Sequence, residues 1–104
     1  MIIQINADNN LTVSTDYREK IEGIVMAEVD RFIEHLTRIE VYLSDQNSHK
    51  DTGADKRCNI EARLKGKPPI AVSDDGETYD IAINGAAGKL STSLETIVGK
   101  MKSH

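Results

Sequence analysis

Apolar residues along this chain switch between two spacings, and each switch marks a new element. Ile2, Ile3 and Ile5 make a short first strand that ends at the turn-prone run of residues 6–10. Tyr17, Ile21, Ile24, Val25, Val29, Phe32, Ile33 and Leu36 then recur at three- and four-residue steps, the period of a helix with one apolar face. Arg18, Glu19, Glu22, Asp30, Arg31 and Glu34 lie mostly outside that stripe. Ser14 is placed to cap the helix, and Asp16 and Glu19 lie where its dipole favours carboxylates. The stripe predicts roughly five to six turns. Gly23 in its middle weakens the helix by about 1 kcal/mol relative to Ala, which the packing face must offset.

Alternation returns at residue 38. Ile39, Val41 and Leu43 are interleaved with Arg38, Glu40 and Tyr42, a second strand with one wet face. The polar stretch 45–55, DQNSHKDTGAD, has no period and predicts a loop of about ten residues, longer than most hairpin connections. Cys58, Ile60, Ala62 and Leu64 alternate with Arg57, Asn59, Glu61, Arg63 and Lys65 as a third strand, and Gly66, Lys67 and Pro68 turn the chain. Pro69 to Ser73 form a short fourth strand, its prolines at the start where a missing donor does least harm, and Asp74-Asp75-Gly76 breaks it. Ile83, Ala86, Ala87, Leu90, Leu94, Ile97 and Met101 then share one face of a closing helix, with Gly85 and Gly88 placed for close packing.

The order predicts an α+β fold, β-α-β-β-β-α: a four-stranded sheet with two helices packed on one face, residues 1–104 forming a single domain. The other face then carries Arg38, Tyr42, Arg57, Asn59 and Arg63. No apolar run approaches the ~20 residues of a membrane span, the opening residues lack the regions of a signal peptide, and one cysteine makes no internal disulfide. These features point to a cytoplasmic protein.

Net charge is −4, which argues against a general nucleic-acid coat, but the charge is uneven. The basic residues gather in the middle hairpin, and residues 37–67 are the one net-positive part of an acidic chain. No catalytic constellation appears. His35, His49 and His104 are scattered, His35 near a helix end where an imidazole meets the carbonyl dipole. His49 shares its loop with Asp45, Asp51 and Asp55, but the spacing fits neither a zinc nor a calcium site, so a solvated loop is the reading and metal binding there a weak third option. Cys58 reads as a small core residue. There is no phosphate loop, and no cofactor or small-molecule substrate is implied.

The run Ala82-Ile83-Asn84, Ala86-Ala87, Lys89-Leu90, Leu94 resembles the last helix of the bacterial ribosome hibernation-promoting factor and ribosome-associated inhibitor family. Val13-Ser14-x-x-Tyr17-Arg18-Glu19 is similar to that family's first-helix opening, and residues 38–43 to its apolar second strand. The resemblance covers nearly the whole chain. It implies the element order above, whose last four elements resemble a double-stranded-RNA-binding domain. It also implies a non-enzymatic translation inhibitor that docks on small-subunit ribosomal RNA, occludes the messenger and transfer RNA channel, and needs no cofactor. Folded RNA is gripped through phosphates by Lys and Arg on rigid elements. The candidates are Arg18, Lys56, Arg57, Arg63, Lys65, Lys67, Lys89 and Lys100, with Lys89 in the lysine position of the family's Lys-Leu step. The chain departs from the family at Thr92, Ser93, Thr96 and Val98, where several basic residues are missing. The alternative is therefore a fold relative with weakened RNA binding that acts as a protein-interaction or stress-associated module. Stopping at His104, the chain looks like a short family member without the extra C-terminal domain.

Overall fold

The computed structural model describes residues 1–8, 11–45 and 55–102. The elements are β1 (Ile2–Ala7), α1 (Thr15–Val29), a 3-10 segment (Asp30–His35), β2 (Leu36–Asp45), β3 (Lys56–Leu64), β4 (Ile70–Gly76) and α2 (Tyr79–Lys102). The strands form one mixed sheet in the order β1-β2-β3-β4, with β1 parallel to β2 and the other pairs antiparallel. The inward residues of neighbouring strands stack in register: Ile39 opposite Ala62, Val41 opposite Ile60, Leu43 opposite Cys58. Both helices lie on that face, and Ile21, Val25, Val29, Ala82, Ile83, Ala86, Ala87, Leu90 and Leu94 join these residues in one core. The predicted α+β architecture is the one observed.

Local chemistry accounts for the boundaries. Ser14 Oγ accepts from the Tyr17 backbone N–H at 3.1 Å, the capping expected of it. The first helix is shorter than its apolar stripe. After Val29 the chain tightens into a 3-10 segment and Leu36 already begins β2. In a 3-10 turn residues three apart eclipse, so Phe32 stays under Val29 and is buried, while Ile33 rotates outward and is 40% exposed. The fourth strand is longer than predicted and runs through Asp74 and Asp75 to Gly76. Pairing with β3 overrides the local preference for a turn, because Asp75 lies opposite Arg57 and forms an ion pair with it at 2.8 Å. The residues 46–54, with His49 among them, lie outside the described residues.

Two glycines are required by geometry. Gly66 has a φ of 70° and turns β3 into β4. A side chain on Gly76 would meet Ile81 at 2.6 Å and the backbone nitrogen of Ala82 at 3.0 Å, so its absence lets the chain swing directly from β4 into α2. Gly85 faces the Asp74 carboxylate closely, as its predicted packing role requires. A methyl group on Gly88 would have nothing within 4 Å, so that glycine carries no such role.

Replacing Phe32 with Ala is expected to lower unfolding free energy by about 3–5 kcal/mol in a urea titration, and a loss below about 1 kcal/mol would contradict its place in the core. The glycines should separate in the same measurement. Gly76→Ala destabilises by about 1–3 kcal/mol through overpacking, whereas Gly88→Ala, in an open helical position, stabilises by about 0.5–1 kcal/mol.

Candidate nucleic-acid interface

The sheet face opposite the helices is polar, and its side chains form rows across the strands. Arg38 lies opposite Arg63, Glu40 opposite Glu61, Tyr42 opposite Asn59 and Ser44 opposite Arg57. Each arginine on this face meets a carboxylate. Arg38 Nε donates to Glu40 at 2.7 Å, Arg63 approaches Glu61 at 3.4 Å, and Arg57 donates two bonds to Asp75 at 2.8 and 3.3 Å. Bonds from Tyr42 and then Arg38 hold the Glu40 carboxyl below its ordinary range. The predicted placement of Arg38, Tyr42, Arg57, Asn59 and Arg63 on one face is observed, but as a lattice of near-balanced charge.

The predicted contact residues divide between two ends of the sheet. At the end where β2 and β3 are joined to the 46–54 segment, Lys56 bonds Asp45 at 2.7 Å, approaches Asp55 at 3.6 Å and sits 5.7 Å from the centre of the Tyr79 ring. Arg57 is held there by Asp75, and Arg18 on α1 donates to the Ile5 carbonyl at 3.1 Å. These three cations are bound into the fold.

The opposite end is different. Lys65 and Lys67 flank the Gly66 turn, both exposed, and neither ammonium makes an ion pair among the described residues. Because α2 outruns β4, its last turns reach this turn, and Lys67, Ile97, Lys100 and Met101 line one open hollow. Residues 63–69 and 97–102 together hold Arg63, Lys65, Lys67, Lys100 and Lys102 and no acidic residue. Lys100 lies near the carbonyl end of α2, where the helix dipole favours a cation. Lys89 stands apart, midway along α2. It donates to the Ser73 carbonyl at 3.0 Å and lies 3.5 Å from Asp74. The structure thus brings Arg63, Lys65, Lys67 and Lys100 to one pole and leaves Arg18, Lys56, Arg57 and Lys89 outside it.

One linkage has no signature in the sequence. Asp80 at the start of α2 accepts from Tyr17 Oη at 2.6 Å and from Lys20 Nζ at 2.7 Å, tying α1 to α2 across 63 residues of chain. The Lys20 bond, then the Tyr17 bond, hold the Asp80 carboxyl below its ordinary range, while burial followed by Asp80 raises the Tyr17 phenol.

A mixed four-stranded sheet in the order β-α-β-β-β-α, with both helices on one face, is the architecture of ribosome hibernation factors. The chain belongs to the sigma 54 modulation protein / S30EA ribosomal protein family, whose model matches residues 3–102. It is similar in fold to the protein Y N-terminal domain of Thermus thermophilus, with a TM-score of 0.75 and 23% identity over 93% of this chain and 99% of that one. It is also similar to a ribosomal subunit interface protein from Coxiella burnetii, with a TM-score of 0.72 and 16% identity over 95% of this chain and 99% of that one. No curated protein matches it. The protein is thus a member of a ribosome-associated modulation family, and no helix among its described residues is long and apolar enough to cross a membrane.

The described residues hold no group of three or more His, Cys, Asp or Glu side chains arranged for a metal ion. Cys58 is fully buried, and desolvation pushes its thiol up to about 12. A thiol reacts as the thiolate, so at pH 8 the native protein is expected to react with an aromatic disulfide reagent at least about a hundredfold more slowly than the urea-unfolded chain. Equal rates would show Cys58 to be accessible.

Proposed function

We propose that this protein is a non-enzymatic factor that docks on small-subunit ribosomal RNA and holds the ribosome idle by occupying the messenger and transfer RNA channel. The observation that carries this reading is the pole where Arg63, Lys65, Lys67 and Lys100 gather, with Lys65 and Lys67 in no ion pair among the described residues, on an otherwise acidic family member. Phosphate contacts supply most of the affinity of a shape-reading RNA binder, and they need cations not already neutralised by the protein's own carboxylates. Lys65 and Lys67 meet that condition. Their backbone is fixed as well, since the Lys65 N–H donates to the His35 carbonyl at 2.9 Å and the Lys67 N–H to the Leu64 carbonyl at 3.4 Å. Inhibition then follows from occupancy alone: a rigid body seated in the channel excludes other ligands without changing a covalent bond. Lys89, held by Ser73 and Asp74 midway along α2, and Arg18, Lys56 and Arg57, bound into the fold at the other end of the sheet, lie outside this surface.

Co-sedimentation with purified small subunits tests the proposal. The original protein should pellet with the subunits at low salt and be released as salt rises. Lys65→Glu combined with Lys67→Glu should weaken binding by at least about tenfold and lower the salt slope by roughly one per lysine. Glu22→Lys, on α1, should leave binding within about twofold of the original. Absence of binding at low salt, or equal affinity of the double variant, would remove the basis for the ribosomal reading at this surface.

A further inference from the structure

The open sheet face has a neutral centre. Asn6, Tyr42, Asn59 and Ser73 occupy one row across all four strands, each opposite the next. No carboxylate or cation stands in that row. Tyr42 is 40% exposed, and its hydroxyl donates to Glu40, two residues earlier on the same face, so the ring lies along β2 instead of standing away from it. Asn6 is used internally: its amide nitrogen reaches the Val41 carbonyl at 3.5 Å and its oxygen accepts from Gln4 at 3.2 Å. Asn59 is half-buried, and its carboxamide makes no hydrogen bond among the described residues. Beside the ring is a hollow of about 260 Å³, with Asn6, Asp8, Tyr42, Ser44 and Asn59 in its wall.

These groups have the chemistry of a base site. An exposed phenol ring offers a flat π surface, and a carboxamide with a free donor and a free acceptor matches the paired donor and acceptor on the edge of a nucleobase. Four-stranded sheets that expose aromatic side chains on an open face stack unpaired bases in this way, and a base still inside an RNA helix has no free face to offer. Guanidinium groups flank the row, Arg57 one row away on one side and Arg38 with Arg63 two rows away on the other. Their carboxylate partners offset their charge, so attraction for phosphate along an RNA strand comes from the Lys65–Lys67 turn. The hollow, at about 260 Å³, has room for one planar heterocycle.

We propose that Tyr42 and Asn59 form a pocket for one unpaired RNA base, stacked on the Tyr42 ring and hydrogen-bonded along its edge to the Asn59 carboxamide. The inference rests on the RNA-binding reading above and adds a base-contacting element to the basic pole. The strand would run from the Lys65–Lys67 turn, past Arg63 and Arg38, to the pocket.

The probes are two short unstructured oligonucleotides, fluorescently labelled hexauridylate and hexaadenylate, titrated with the folded protein by anisotropy. Tyr42→Ala should weaken binding of at least one of them by roughly tenfold, the range of a lost base–aromatic stack. Tyr42→Phe, which keeps the ring and loses only the bond to Glu40, should stay within about twofold. The Tyr42→Ala loss should persist from about 50 to about 200 mM salt, whereas the loss in the Lys65→Glu/Lys67→Glu variant should shrink over that range. The side-chain NH2 resonances of Asn59 should move on addition of the better probe, and Asn59→Ala should weaken its binding. Tyr42→Ala binding within twofold of the original, Phe as weak as Ala, or unmoved Asn59 resonances would each overturn the pocket. Small-subunit co-sedimentation separates the two ideas. A protein that pellets with subunits but binds neither oligonucleotide keeps the ribosomal reading and loses the pocket, and the reverse result does the opposite.

Discussion

The register between β2 and β3 decides where nearly every other side chain goes. Ile39, Val41 and Leu43 face Ala62, Ile60 and Cys58 across the ladder, and all six are essentially inaccessible to solvent. Side chains in a strand alternate faces, so a slip of one residue would send this whole set to the wet side and bring Arg57, Asn59, Glu61 and Arg63 inward. With the inner face fixed, both helices have one place to dock. The small residues Ala82, Ala86 and Ala87 let α2 approach the sheet closely, while Ile83, Leu90 and Leu94 fill the space between. Gly76 at the β4–α2 junction gives the helix its start.

The same alternation governs the electrostatics. Outward positions of β2 and β3 hold arginines and glutamates in adjacent rows, so opposite charges become neighbours and satisfy one another. An exposed pair of this kind adds little stability, because solvent screens it. Its larger effect is to reduce the attraction of the open face for phosphate. Positive charge outside any ion pair among the described residues lies instead on Lys65 and Lys67, at a turn with no acidic residue nearby in sequence. A net charge of −4 and a local basic surface are therefore compatible in one small protein.

Much of the fold was legible in the sequence because burial imposes periodicity. The alternation of residues 38–43 and 57–64, the Ser14 cap and the apolar face of α2 appear in the structure as expected, and only Lys65, read as strand, falls in the turn. Periodicity misled where local geometry changed without a change in spacing: Phe32, Ile33 and Leu36 continue a helical pattern although the chain has entered a 3-10 turn and then a strand. Turn-prone composition misled at Asp74-Asp75-Gly76, where a tertiary ion pair to Arg57 holds the residues extended. The candidate site was less legible than the fold. A basic residue type says that a cation is present, but which carboxylate stands beside it depends on register. That is why Lys56 and Arg57, in the same hairpin as Lys65 and Lys67, are bound by Asp45 and Asp75 while those two lysines are not.

The strand order leaves β4 with a neighbour on one side only, so half of its backbone groups face no strand. Such an edge is a template for pairing with another chain. Here two of those groups are already occupied. Lys89 Nζ reaches the Ser73 carbonyl, and the Asp75 N–H donates to the Asp74 side chain at 2.9 Å. Lys89 thus acts as a guard on the sheet's margin, placing a charged, solvated group where an intruding strand would have to lie. Removing it exposes that margin, so a protein without Lys89 gains a tendency to stick to copies of itself.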